Sequence, residues 1–128
     1  MRIFKTKWLV RFARRQAIED RSLIEAIARA GRGSIDADLG GGIIKQRVAR
    51  RGQGRSGGHR MLIAYRRGDR AVFLYGFAKN QRDNIEPDEL LTLRDIGSAW
   101  LKAAPRQIDR ALAEGTLEEV ADGQEEAS

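Results

Sequence analysis

Residues 60–67 (RMLIAYRR) and 70–77 (RAVFLYGF) are two β-rich runs separated only by Gly68-Asp69, so the chain is committed to an antiparallel hairpin in its middle. The second run is apolar at odd and even positions alike, as a strand at the centre of a sheet is. The remaining elements must be arranged around that pair. Residues 2–6 (RIFKT) read as a short strand and residues 7–17 as a helix, with Trp8, Leu9, Phe12 and Ala13 on one face. Asp20 is the expected N-cap of a second helix, Leu23, Ile24, Ile27 and Ala30 its buried stripe, and Gly31 its C′ residue. Two such helices in sequence make a helical hairpin.

Residues 32–42 read as a loop and residues 43–49 (IIKQRVA) as a strand. Strand alternation then sets Lys45 and Arg47 on one face and Ile44, Gln46 and Val48 on the other. Residues 50–58 (RRGQGRSGG) are glycine-rich and read as a loop. Pro87 fits the first position of a third helix, with Asp88 and Glu89 in its first turn and Leu90, Leu93, Gly97, Trp100 and Leu101 on its apolar face. Pro105 opens a shorter helix that Gly115 ends, and Thr116 with Glu119 suggests a capping box beyond it. The closing ADGQEEAS is expected to be disordered. The order is β-α-α-β-β-β-α plus a C-terminal helical extension. It predicts an α+β fold, an antiparallel sheet with helices on one face, as a domain over 1–103 followed by an acidic segment over 104–128.

Charge is distributed unevenly. Residues 1–82 hold 20 Lys/Arg against 6 Asp/Glu, a balance of +14, whereas residues 83–128 hold 4 against 12, a balance of −8. The first two-thirds therefore points to an anionic partner. The acidic third is either a solvated helix and tail or a flap that masks the basic surface. With no Cys and one His, neither a disulfide framework nor a multi-histidine or thiolate metal site can be built, and no cofactor motif is present. Charges interrupt every short apolar run at the start, so no signal peptide or membrane span is expected, and the default location is cytoplasmic.

The cations concentrate where the strands meet. Lys45, Arg47, Arg50, Arg51, Arg55, Arg60, Arg66 and Arg67 fall between 45 and 67 with no Asp or Glu among them. Lys45 and Arg47 project from one strand, Arg60 opens the next, and Lys79 and Arg82 follow the one after that. Neighbouring strands lie about 4.8 Å apart, so these groups can converge on one surface suited to a phosphodiester. Attack by a ribose 2′-OH on phosphorus builds negative charge on the phosphoryl oxygens, which preorganised cations stabilise. A lysine crowded among other cations has its ammonium form disfavoured and becomes a better proton acceptor. His59, the only imidazole, is next to Arg60 and is either a proton carrier in the site or an exposed residue that helps binding. The same cations also suit a basic strand that binds nucleic acid without cutting it.

The run LGGGIIKQRVARRGQGRSGGHRMLIAYRRGDRAVFLYGFAKNQRDNI resembles the toxin subunit of RelE/HigB-type toxin–antitoxin modules. It is most similar to a RelE subgroup with a GGG-x-x-K-x-R-V-A-R strand, an S-G-G-x-R turn and a Y-G-F-A-K-N-x-R-x-N-I segment, a likeness that covers residues 2–101. The resemblance implies a RelE/ParE-like fold, with an N-terminal helical hairpin on a twisted antiparallel sheet. It implies metal-independent cleavage of mRNA on the ribosome and inhibition by a cognate antitoxin. Lys45 and Arg47 match the paired basic positions of the second strand, and Arg60 the arginine that opens the third. Lys79 or Arg82 would stand for the basic residue after the fourth, with Arg50, Arg51 and Arg55 further RNA contacts. Many members carry a Tyr near the C-terminal end of the site; here the segment reads NQRDNIEP, leaving His59 or Lys45 to take its role. The related ParE toxins share the fold and act on DNA gyrase, which is the alternative activity. The oligomeric state is not legible.

Overall fold

The computed structural model describes residues 1–49 and 58–120. At its centre, β4 (His59–Arg66) and β5 (Arg70–Ala78) pair antiparallel from Arg66↔Arg70 to His59↔Ala78, joined through Gly68. β3 (Ile43–Val48) flanks β4 antiparallel and β2 (Ala37–Gly40) lies outside it; β1 (Arg2–Thr6) runs parallel to β5, and β6 (Leu117–Glu119) closes that edge. The sheet order is β2-β3-β4-β5-β1-β6. Two helices, α1 (Lys7–Arg15) and α2 (Asp20–Gly31), follow β1, and two more, α3 (Pro87–Lys102) and α4 (Pro105–Glu114), precede β6.

Helices cover both faces of the sheet, not one as expected. α1 and α2 set Leu9, Phe12, Leu23 and Ile27 against Ile44, Met61, Ile63 and Phe73. On the other face α3 and α4 bring Leu101, Ile108 and Ala111 over Phe4, Ile43, Leu62, Ala64 and Val72. The reason is the two-sided apolarity of β4 and β5: Met61 through Ala64 and Ala71 through Leu74 are all buried, so each face needs its own cover. A bulge opposite Leu62/Ile63 makes Leu74 the extra residue of β5, and both Leu74 and Tyr75 join the α3 side.

Two strands lie where the sequence suggested none. β2 belongs to the expected loop 32–42; Gly40, Gly41 and Gly42 all take positive φ, and this left-handed stretch turns β2 back into β3. β6 replaces the expected capping box at Thr116–Glu119. The segment has too few large apolar residues to form a helix with a buried face, but β1 offers it an open edge. Leu117 pairs opposite Thr6, Arg2 grips Glu119 with two bonds of 2.9 Å, and Val120 N–H donates to the Ile3 carbonyl. Lys5, only 7% exposed, bridges Asp20 at 2.8 Å and Glu118 at 3.1 Å. Leu117–Glu119 thus complete the same sheet, at the edge opposite β2 and β3. Within the acidic third, β6 lies at the edge away from the basic strands, whereas α3 packs on β3 and β4. The expected disordered tail, 121–128, lies outside the described residues.

Smaller differences are at element ends. α1 stops at Arg15 with Thr6 as its N-cap, and Glu19, not Asp20, occupies the N-cap position of α2. Pro87, Pro105 and Gly115 take the expected places, with Gly115 in the left-handed conformation. Gly97 lets α3 approach the sheet: a Cβ there would stand 2.8 Å from Ile43 Cδ1 and 3.1 Å from Ala64 Cβ. Gly97→Leu is expected to lift α3 and cost about 1–3 kcal/mol of stability, read from the urea midpoint.

Candidate functional site

The β3–β4 register places Arg47 directly opposite Arg60 and Lys45 opposite Leu62. Ile44, Gln46 and Val48 are buried towards α2, so Lys45 and Arg47 project to the opposite face, and Arg60 shares it with them. Phe77, buried to 3%, is the next residue of that row, paired with Arg60 across β4–β5. Three cationic side chains of the candidate site are thus neighbours on one surface, on the α3 side of the sheet.

Like charges directly opposite each other repel. The structure supplies a counter-charge that sequence reasoning missed. Asp36, just before β2, accepts from the Arg47 backbone N–H at 2.6 Å and from Arg47 Nη2 at 3.2 Å, and lies 3.5 Å from Arg29 Nη1. Burial alone would raise the Asp36 carboxyl; the Arg47 hydrogen bonds and the Arg47 and Arg29 charges outweigh it and hold the group below its ordinary range. Burial, and then the neighbouring Arg47, lower the Arg60 pKa, with Asp36 offsetting part of that. Arg60 Nη1 is buried without a hydrogen-bond acceptor among the described residues.

Buried groups support this arrangement from beneath. Gln46, fully buried, donates through Nε2 to the Ala26 carbonyl at 2.9 Å and the Ser34 carbonyl at 3.2 Å, and its Oε1 accepts from Asp36 N–H at 2.7 Å. Arg29, exposed by 4%, pairs with Glu25 at 2.7 Å and donates to the Arg47 carbonyl. The available signal was Gln46 itself, a polar residue on the apolar face of a strand, which must find partners when buried.

His59 does not join the site. It is 2% exposed on the opposite face, with Nε2 3.1 Å from Gln16 Oε1 and its ring edge-on to Phe12 at 5.5 Å. β4 begins at His59, one residue earlier than expected, and adjacent strand residues point to opposite faces. Arg82 lies 5.6 Å over the Phe77 ring, beside that row, where it pairs with Glu89 at 2.7 Å and donates to the Asn84 carbonyl at 2.8 Å. The Glu89 hydrogen bond raises its pKa, and the pair fastens the turn after β5 to the first turn of α3. Lys79 is exposed, two residues beyond Phe77. Arg50, Arg51 and Arg55 lie outside the described residues. Trp8, expected on the apolar face of the first helix, is 40% exposed and rests on Phe12 and Tyr75. No group of three potential metal ligands occurs among the described residues.

A family described as the RelE toxin of the RelE / RelB toxin-antitoxin system matches residues 1–120. The chain belongs to the RelE toxin family. No curated protein matches it. The family match extends through β6, in keeping with the sheet that β6 completes. As a RelE-family toxin it belongs to a toxin–antitoxin system, and the family implies a cognate antitoxin as its partner. Among the described residues no helix is long and apolar enough to cross a membrane.

The depressed carboxyl of Asp36 has a consequence for this toxin's stability. Its contribution is present above the ordinary carboxyl value of 3.8 and is lost as pH falls through the lower folded-state value. The stability difference between the wild type and Asp36→Asn is therefore expected at pH 7 and should shrink below about pH 4, measured by chemical denaturation at each pH.

Proposed function

We propose that this RelE-family toxin is a metal-independent endoribonuclease that cuts mRNA on the ribosome and so arrests translation. The observation that carries this reading is the alignment of Lys45, Arg47 and Arg60 on one face of β3 and β4. A phosphodiester laid across the two strands would receive N–H donors from Arg47 and Arg60 at once. The 2′-oxygen attacks phosphorus, the 5′-oxygen of the next nucleotide leaves, and the products are a 2′,3′-cyclic phosphate and a 5′-hydroxyl. Negative charge grows on the non-bridging oxygens in that transition state, where fixed cations contribute most. The buried Nη1 of Arg60 is suited to this task, because a phosphoryl oxygen would give it an acceptor that it does not find among the described residues. Lys45, the amine of the cluster, takes the proton of the 2′-OH, and Lys79 returns one to the leaving oxygen. The demand for a 2′-OH makes the substrate RNA and not DNA.

Arg60→Ala is expected to keep the fold and lose about 10²–10³ in cleavage rate, in line with the removal of one charge-stabilising donor. Primer extension on mRNA from expressing cells reads this directly: cuts with the wild type and none with the variant. Equal toxicity of the two would sink the proposal, and growth arrest with a DNA-damage response but intact mRNA would transfer the toxin to the gyrase-directed activity. Binding to single-stranded RNA should weaken with salt at a log–log slope of about −0.7 per phosphate contact, so Arg60→Ala should flatten the slope by about 0.7.

A further inference from the structure

Asp36 is an acidic group held inside a surface otherwise suited to an anion. Its position is fixed by its own backbone N–H on Gln46 Oε1 and by Arg29, both partners being buried. Its carboxylate engages the Arg47 backbone N–H at 2.6 Å and only one nitrogen of the Arg47 guanidinium, at 3.2 Å. No other hydrogen bond of that guanidinium is seen among the described residues, and the Arg47 side chain is 46% exposed. Arg60, directly across the strand pair, retains a buried donor without an acceptor among the described residues.

We propose that Asp36 is the positioning residue of this site: from the β2 side of β3 it anchors the Arg47 guanidinium at a set distance from Arg60, so that both guanidinium groups address the same phosphate. The proposal rests on the nuclease reading for its catalytic consequence, but not for its binding consequence. Two adjacent cations without an anion lower their energy by swinging apart, and a side chain as exposed as Arg47 has room to do so. The Asp36 carboxylate, on the side of Arg47 away from Arg60, fixes where that swing ends and leaves the side facing Arg60 open. The same carboxylate removes one unit of positive charge, so it weakens the attraction for RNA while it sharpens the geometry. Asp36 therefore trades affinity for alignment. A residue that served only the fold would move affinity and rate in the same direction.

Asp36→Asn isolates the charge, because the amide oxygen can still accept from the Arg47 N–H. Binding is measured with a 2′-O-methyl RNA oligonucleotide, which lacks the attacking hydroxyl, and cleavage with single-turnover cutting of ribosome-bound mRNA. The expected result is a split: affinity rises several-fold, with a salt slope steeper by about 0.7, while the cleavage rate falls about tenfold or more. Asp36→Glu restores the charge and should recover part of the rate. A double-mutant cycle on RNA binding between Arg47→Ala and Arg60→Ala adds a readout independent of cutting. The two are expected to be coupled by at least about threefold in the wild type and uncoupled in the Asp36→Asn background. Equal cleavage rates, a joint loss of affinity and rate, or coupling unchanged in Asp36→Asn would each overturn the proposal. If the wild type cuts no RNA, the nuclease reading fails, and the slope and the cycle alone decide whether Asp36 aligns the two arginines.

Discussion

Arg47 and Arg60 stand opposite each other because the strands that carry them are locked in register by what lies on the other side. Ile44, Gln46 and Val48 of β3 and His59, Met61 and Ile63 of β4 face α1 and α2, and every one of them is buried. A slip of one residue would turn Lys45, Arg47 and Arg60 into that core and expose the apolar set. The buried layer thus sets the geometry of the charged one, although it touches no substrate. The cover of α3 on the other face begins with Pro87 and reaches Ile43 and Ala64 through Gly97, while Arg47 retains substantial exposure.

Electrostatic strain is the companion of that register. A cross-strand arginine pair is costly on its own, and the chain offsets it with Asp36 and with buried Gln46 and Arg29, the latter paired with exposed Glu25, which join α2 to β3. Burying Arg29 would be unfavourable without partners; here it has two carboxylates and a backbone carbonyl. The same economy appears at the other end of the sheet, where Lys5 bridges Asp20 and Glu118 and Arg2 holds Glu119. The acidic C-terminal third is therefore partly consumed in stitching β6 to β1. The charge asymmetry of the chain reflects two uses: an open cationic face over β3 and β4, and a neutralised edge at β1 and β6.

The one histidine shows how a single boundary changes a reading. Placed in a loop, His59 could have faced the phosphate beside Arg60. Placed as the first residue of β4, it must point away, and it settles against Phe12 and Gln16. Arg82 shows a different effect. Its position after β5 suited an RNA contact, but Glu89 lies seven residues on, at the start of α3, and claims the guanidinium.

The amino-acid sequence by itself determined the central hairpin, the two helical pairs and the parity that sets Lys45 and Arg47 on one face. These follow from local periodicity, proline and glycine positions and strand alternation, which act over a few residues. The helix starts at Pro87 and Pro105 and the stop at Gly115 are of the same kind. Only the tertiary structure decided the rest. β2 and β6 are strands because β3 and β1 presented open edges to them, not because of their own pattern. Asp36 became part of the site because a β2–β3 turn of three left-handed glycines folds it back beside Arg47, eleven positions along the chain. Such partners are chosen by proximity in space, and electrostatic and hydrogen-bonding preferences are satisfied only after the backbone has brought the groups together.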